Sequence, residues 1–168
     1  MRLLACGACV LLAGATALGG DFDAWNYRAR IDFSGYGRAE TLTSFPVLVQ
    51  LSTNLMPGFS YDQFSFPTDG ADLRFGASNE TDELDYEIDQ WAAGTNAAYV
   101  WVEVPALTNN SHIWAYWGNS GATQQQAYTT NGSTWNSSFK AVWHLRQTNA
   151  ADSTAYTNNG QAHGNISA

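Results

Sequence analysis

Five carboxylates within eight residues form the densest group of chemically capable side chains: Asp82, Glu83, Asp85, Glu87 and Asp89. Because side chains alternate along a strand, Asp85, Glu87 and Asp89 would share one face, about 6.6–7 Å apart per step. Such a row could be a solvated or arginine-paired face, a cation site, or the acids of a catalytic site. The arginines available for pairing are Arg28, Arg30 and Arg74.

A hydrolytic role for this row requires a second, correctly spaced carboxylate. The tripeptide Glu87-Ile88-Asp89 is similar to the Glu-x-Asp core of retaining laminarinase-type glucanases, which carry a further carboxylate a few residues on. Here the following positions are Gln90, Trp91, Ala92 and Ala93. Retaining hydrolysis needs two carboxyl groups about 5–5.5 Å apart. The sequence therefore predicts no catalytic residue in this stretch and no enzyme activity for the chain.

The spacing of the histidines, cysteines, serines and glycines does not indicate a metal site or a nucleophilic catalyst. His112, His144 and His163 do not pair at metal-ligand spacing, and Cys6 and Cys9 both lie near the N-terminus. No Ser-His-Asp arrangement or glycine-rich phosphate loop is present. We predict no metal site and no cofactor.

Four aromatic residues form a second candidate site. Trp91, Trp101, Trp114 and Tyr116 are predicted to lie opposite the aliphatic faces of their strands. An exposed row of such rings could stack on the apolar faces of sugars, which makes these four the predicted ligand-binding residues. The alternative is that the rings pack in the core or at its rim, since Trp is usually largely buried.

The elements that would position both groups are strands. Between Leu84 and Asn119, three runs alternate with a period of two, separated by spacers rich in Gly, Asn, Thr and Ser. We interpret them as three consecutive antiparallel strands. Further runs at 28–33, 46–51 and 71–77 alternate in the same way, and one helical turn is predicted near Tyr61. The pattern predicts an all-β antiparallel β-sandwich, jelly-roll-like in its spacing.

The ends of the chain differ from this middle part. Residues Met1–Gly20 have a basic Arg2, an apolar run and an Ala15-Thr16-Ala17 cleavage pattern, which together predict a secretory signal peptide, cleaved or retained. We assign 21–121 to the β-sandwich and 122–138, which is rich in Gly, Asn, Ser, Thr and Gln, to a linker. Residues 139–168 carry one further alternating run and no partner strands, so we expect them to pack poorly.

Charge narrows the classes of partner. Without Arg2, 6 basic residues face 15 acidic ones, a net charge of −9. Such a charge argues against nucleic acid and anionic lipid surfaces as partners. Beyond the signal, we expect no membrane insertion. A secreted or envelope location and a neutral partner, such as a polysaccharide or another cell-surface component, fit this composition.

Six short motifs occur in order and resemble an uncharacterised β-rich domain family of secreted bacterial proteins, a domain of unknown function. They are Trp25-x-Tyr27-Arg28, Phe45-Pro46-Val47-Leu48-Val49, Ala71-Asp72-Leu73-Arg74-Phe75, Leu84-x-Tyr86-Glu87-Ile88 with Trp91, Val100-Trp101-Val102-x-Val104-Pro105 and Tyr116-Trp117-Gly118-Asn119. That family commonly precedes a laminin-G-like, concanavalin-A-like lectin or glucanase domain. The motifs in 141–164 resemble the opening of such a domain, so 139–168 is predicted to be its N-terminal fragment, a truncated second β-sandwich.

Three functions remain open from the sequence. The first is a non-catalytic accessory module of a secreted or cell-surface protein that binds glycan or another surface component. The second is a structural spacer or assembly module without a ligand. The third is part of a larger carbohydrate-active enzyme whose catalytic domain lies elsewhere.

Overall fold

The computed structural model describes residues 22–91, 97–145 and 150–161. The predicted signal peptide therefore lies outside the described residues. Six strands occur in the order β1 (Tyr27–Asp32), β2 (Leu42–Ser52), β3 (Arg74–Gly76), β4 (Tyr86–Gln90), β5 (Ala97–Leu107) and β6 (His112–Trp117). They form two three-stranded sheets, with the order β1-β6-β3 in sheet A and β2-β5-β4 in sheet B. Every pairing is antiparallel, which confirms the predicted all-β sandwich.

The core lies between the sheets, on the faces that the alternation predicts. Val47, Val49 and Leu51 are buried on β2, and they lie beside the buried Val100 and its neighbours on β5. Branched and aromatic side chains suit such a pleated, half-buried surface. The inward residues of the other strands are buried in the same cluster: Ala29, Ile31, Leu73, Phe75, Tyr86, Ile113, Ala115 and Trp117.

β6 occupies a different place from the one the sequence suggests. We predicted three consecutive paired strands, and β4 does pair with β5, but β6 pairs with β1 and β3 in the other sheet. The connection is a tight turn in which the Thr108 amide donates to Ser111 Oγ, and that hydroxyl donates to the Ala106 carbonyl. Such a turn reverses the chain locally. Its residue types do not specify whether the next strand stays in the same sheet.

A β-bulge on β4 alters the predicted faces. Ile88 pairs with Val100 and Gln90 pairs with Tyr99, so β4 contains one extra residue between two successive positions of β5. A bulge interrupts the two-residue alternation. We predicted that Trp91 would point outward with the carboxylates, but its ring packs against the core cluster instead.

The long loop between β2 and β3 is fixed by Asp72, which is fully buried. Its carboxylate accepts hydrogen bonds from four backbone amides, those of Ser65, Phe66, Gly118 and Asn119, at 2.7–3.2 Å. Two of these amides belong to the loop and two follow β6, so one side chain joins the loop to the end of sheet A. The helical turn predicted near Tyr61 is present as a short 3₁₀ helix, Tyr61–Gln63.

The described residues between 122 and 161, which we call the C-terminal segment, contain a 3₁₀ helix, Ala127–Thr129, and no strand. The alternating run at 139–145 therefore does not form a strand. The segment contacts the outer face of sheet B, where the Asn136 side-chain amide donates to the Ser44 carbonyl at 2.6 Å. Nothing in these contacts tests the predicted boundaries between domains, which stay predictions. Within the part of the chain that is described, no helix has the length and apolar character that a membrane crossing requires.

Candidate functional site

Glu87 is the centre of the most densely bonded polar group on the outer face of sheet B. It lies on β4, and its carboxylate accepts from three side chains of the C-terminal segment. The Trp135 indole Nε1 donates to Oε2 at 2.6 Å, and Ser153 Oγ donates to Oε1 at 2.6 Å. His144 Nε2 lies 3.1 Å from the same Oε1. We call these three contacts the clasp, because they fasten the segment to the sheet.

His144 lies between two carboxylates of the row. Its Nδ1 is 3.6 Å from Asp89 Oδ1, on the other side of the ring from Glu87. The side chains of His144 and Glu87 keep 18% and 17% of their area exposed. Such partial burial weakens solvent screening, so the charges of these groups interact more strongly than they would at an open surface.

Two indole rings enclose the clasp. Trp101, on the outer face of β5, lies 5.3 Å from Trp135 between ring centroids. The His144 ring is 6.3 Å from Trp101 and 6.0 Å from Trp135. The tilted packing of the three rings covers the polar contacts and buries apolar area that a separated segment would expose to water.

The contacts of the clasp lower the pKa of the Glu87 carboxyl group. Burial by itself would raise the pKa of Glu87, but the hydrogen bonds from His144, Ser153 and Trp135 outweigh it and hold the pKa below its ordinary value. The neighbouring Asp85 shows the opposite shift, since burial raises its pKa. Glu87 is therefore held as a carboxylate, whereas a general acid must carry a proton near working pH.

Ser153 and His144 do not form a nucleophile–base pair. Nucleophilic activation of a serine requires its hydroxyl to face a base that can take the proton. Here Ser153 donates to Glu87, and His144 contacts the same carboxylate oxygen. The arrangement fixes the segment to the sheet, and the serine proton stays on Oγ, hydrogen-bonded to a carboxylate that is too weak a base to take it.

Trp114 and Tyr116, two of the four predicted ligand-binding residues, lie on the outer face of sheet A. They are 6% and 3% exposed. Phe22 covers them: its ring stacks on Tyr116 with centroids 4.2 Å apart, and Trp25 packs against the same cluster. The Arg28 guanidinium lies 4.6 Å from the centre of the Trp114 ring, a cation–π contact.

The other two predicted residues lie elsewhere. Trp101 is on the outer face of sheet B beneath the clasp, and Trp91 packs on Phe64 with its indole N–H bonded to the Pro67 carbonyl at 2.8 Å. The ring of Trp91 also fills the space that a side chain at Gly70 would occupy. The structure therefore brings Trp114 and Tyr116 together and separates them from Trp91 and Trp101. The expected single row of rings is not formed, because β6 belongs to the opposite sheet and the bulge redirects Trp91.

The predicted arginine partners bind carboxylates, but mostly outside the row. Arg28 pairs with Glu80, and Arg30 pairs with Asp32 at 2.9 Å. The buried Arg74 lies 3.4 Å from Glu83, a member of the five-carboxylate group. Among residues 22–91, 97–145 and 150–161, no three His, Cys, Asp or Glu side chains are arranged to hold a metal ion.

Sequence reasoning missed the partners of Asp72 and Glu87, two carboxylates that each accept from distant parts of the chain. Trp135 lies in the predicted linker and Ser153 in the predicted poorly packed tail, and neither has a local pattern that indicates a contact with β4. His144 lies in an alternating run, and this alternation is the one local pattern that indicated ordered structure near any of the three partners. The amides bonded to Asp72 are backbone groups, which no residue type identifies.

Comparison with known proteins supports a domain of unknown function. Residues 69–141 match the family model described as "Domain of unknown function (DUF2341)". The match includes β3 to β6, Glu87 and Trp135, and it ends before His144 and Ser153. No curated protein and no solved structure matches the chain. The association with a lectin-like domain, which the resemblance implied, lies beyond this match and stays a prediction.

Proposed function

We propose that this chain is a non-catalytic accessory module of an exported protein, and that its task is structural. The β-sandwich holds its own C-terminal segment in one place on sheet B. The observation that carries this proposal is the clasp: three side chains of the segment, from 48 to 66 residues away in sequence, converge on the single carboxylate of Glu87. Of the alternatives left open by the sequence, the spacer or assembly module fits this arrangement best.

The chemistry of Glu87 supports a module without catalysis. Three donors from the chain's own C-terminal segment reach its two oxygens, and the lowered pKa of the carboxyl group removes the proton that a general acid would need. Its neighbour Asp89 faces the same imidazole. A substrate would have to displace the segment before it could reach either group.

Export rests on the sequence alone. The N-terminal pattern of Arg2, an apolar run and a small-residue cleavage site is typical of a secretory signal. The net acidic charge favours neutral or cationic partners over nucleic acid and anionic lipid. We therefore place the proposed module in the secreted or envelope fraction, with other surface components as its partners.

Limited proteolysis with thermolysin tests the structural task. We expect the segment between 122 and 161 to resist cleavage in the native chain and to be cut first in Glu87→Gln, with the two sheets still intact. Glu103→Gln is the matched control, since Glu103 lies on β5, two residues from Trp101, and takes no part in the clasp. Equal cleavage of all three proteins would contradict the proposal. Release of reducing sugar from polysaccharides by the native chain, abolished in Glu87→Gln, would contradict the absence of catalysis.

Glycan binding is a second candidate function, favoured by a separate observation. Trp143 and Tyr156 of the C-terminal segment keep 47% and 46% of their area exposed. The Asn158 carbonyl accepts from the Trp143 indole, and Lys140 lies over the Tyr156 ring. Exposed rings beside amide and ammonium groups offer both stacking and hydrogen bonds to a sugar.

A polysaccharide pull-down separates the two sets of aromatics. If the exposed rings bind, Trp143→Ala with Tyr156→Ala removes retention on insoluble polysaccharide, whereas Trp114→Ala with Tyr116→Ala, a pair on sheet A, leaves it unchanged in a folded protein. Loss only with the second pair would place binding at Trp114 and Tyr116, two of the four residues predicted from the sequence. Because each stacking contact contributes about 1 kcal/mol, the expected affinity is on the order of millimolar to high micromolar.

A further inference from the structure

Both ring nitrogens of His144 face a carboxylate oxygen. Nε2 is 3.1 Å from Glu87 Oε1, and Nδ1 is 3.6 Å from Asp89 Oδ1. A neutral imidazole has one N–H and one lone pair, so one of these nitrogens would direct a lone pair at a negatively charged oxygen. The imidazolium ion has two N–H groups and a positive charge, and it matches both carboxylates. The geometry therefore fits the protonated ring.

We propose that His144 makes the clasp dependent on protons, so that the C-terminal segment is held on sheet B in mildly acidic surroundings and released as the imidazolium loses its proton. The inference rests on the proposed function, because it concerns how the same clasp is opened. Histidine is the side chain whose ordinary titration lies between pH 5 and 8, which gives the switch a useful range.

The groups packed around the ring support this dependence. β4 brings the carboxylates of Glu87 and Asp89, and Asp85 lies immediately before the strand. The surrounding Trp101, Trp135 and Ser153 side chains are uncharged. Next to Ser153, the Asp152 carboxylate is occupied by its own loop, which contributes four hydrogen-bond donors to it. Deprotonation thus removes a positive charge that faces two carboxylates inside a partly covered site.

The direction of the effect follows from linkage. The docked segment favours the protonated His144 ring. The stabilisation that this imidazolium gives to docking is therefore complete below the ordinary histidine pKa of about 6.5 and is lost as the pH rises above it. Glu87 acts in the opposite sense. Its pKa is lowered in the docked state, so its contribution is present above the ordinary glutamate pKa of about 4.3 and is lost as the pH falls. The clasp is therefore tightest between about pH 4.5 and 6.5.

The indole N–H resonance of Trp135 reports the clasp directly, since that group donates to Glu87. We would record ¹H–¹⁵N spectra of the full chain between pH 5 and 8.5 and identify the cross-peak by its absence in Trp135→Phe. The fraction of released segment should rise several-fold as the pH increases from about 5.5 to about 8.5, because the undocked segment loses the proton more readily than the docked one. In His144→Gln, which keeps a donor amide but cannot titrate in this range, the fraction should not change with pH. His112→Gln, a change on sheet A, should respond as the native chain does.

Three outcomes decide between the inference and the function on which it rests. A Trp135 resonance typical of a released indole at every pH would overturn the proposed function itself. A docked resonance that does not change with pH in the native chain would overturn the proton dependence and leave the structural module standing. A pH response that persists in His144→Gln, or that disappears in His112→Gln, would also overturn the role of His144.

Discussion

Asp72 and Glu87 are both carboxylates that accept at least three hydrogen bonds, yet they use different donors. Asp72 is fully buried and accepts from four backbone amides. Glu87 is partly exposed and contacts three side chains. Backbone donors in formed loops are already fixed, whereas side-chain donors lose rotamer freedom when they bind. The first carboxylate therefore contributes to the stability of the whole sandwich, and the second controls one segment.

The two kinds of donor also predict different consequences when each carboxylate is replaced. Replacing Asp72 leaves buried amides without a partner, and each such group carries a desolvation penalty. When Glu87 is replaced, the segment can move into water, where its indole, imidazole and hydroxyl groups find new partners. A site that can open at low cost is where a regulated contact is expected. The following variants test whether the two carboxylates differ as proposed.

The largest effect is expected from Asp72→Asn. The amide offers one acceptor oxygen instead of two and directs an N–H₂ group at backbone N–H groups, so the free energy of unfolding should fall by about 3–5 kcal/mol. Urea denaturation followed by circular dichroism measures it. Asp62→Asn, an exposed neighbour in the same loop, should change stability by less than about 0.5 kcal/mol. A loss below 1 kcal/mol for Asp72→Asn would mean that the amides find other partners.

Gly118→Ala should follow, because it disturbs the backbone that donates to Asp72. Gly118 has φ = +87°, and an added Cβ would lie 2.6 Å from a ring carbon of Tyr27. Strain and displacement together should cost about 2–3 kcal/mol. Gly37→Ala is the matched control, since nothing lies within 4 Å of its Cβ position. Thermal unfolding of both variants gives the comparison, and equal midpoints would show that the turn after β6 adapts freely.

Glu87→Gln should act locally. Hydrogen–deuterium exchange of amides between 133 and 159 should rise, corresponding to a local opening that is about 2 kcal/mol easier, because a hydrogen-bonded charge is replaced by an amide. Amides of β2 and β5 should exchange as in the native chain. If those strands lost protection too, Glu87 would belong to the same cooperative unit as Asp72.

Acid should open the clasp through Glu87 as well. Since hydrogen bonds lower its pKa, the contribution of this carboxylate is present above about pH 4.3 and declines as the pH falls toward the lowered value. Segment release, followed by the Trp135 indole resonance, should increase between about pH 4.5 and 3, where histidine is already protonated. Glu87→Gln should show no such transition at the clasp. An identical acid transition in this variant would assign the effect to other carboxylates.

The smallest expected effect is that of Trp135→Phe, which keeps a ring against Trp101 and removes only the indole donor. We expect local opening to become easier by about 1 kcal/mol, the value of one hydrogen bond. A double-mutant cycle with Glu87→Gln provides the control. The two changes should be less than additive, because they remove the same bond. Full additivity would mean that the indole N–H and the carboxylate act independently.

Strand positions could be predicted because alternation is a local property. The run at Val100, Val102 and Val104 predicted which side chains are buried, and all three are. The same reasoning fails at Trp91. The bulge before Gln90 reverses the side of the sheet to which the following side chains point, and no residue type in this stretch predicts a bulge. For the carboxylate row, the sequence left a solvated or arginine-paired face, a cation site and catalytic acids open. The partners of Glu87 that the structure shows, Trp135 and Ser153, lie in a stretch that we assigned to a linker and a poorly packed tail.

The sequence by itself determined the strands, their inward faces and the all-β class, because a period of two requires neighbours only two residues apart. The tertiary structure decided three other features: the sheet that β6 joins, the separation of Trp101 from Trp114, and the partners of the two carboxylates. Those partners lie far along the chain, with Gly118 46 residues from Asp72 and Ser153 66 residues from Glu87. Contacts at that range depend on how the whole chain closes its loops, and local residue types do not specify this closure.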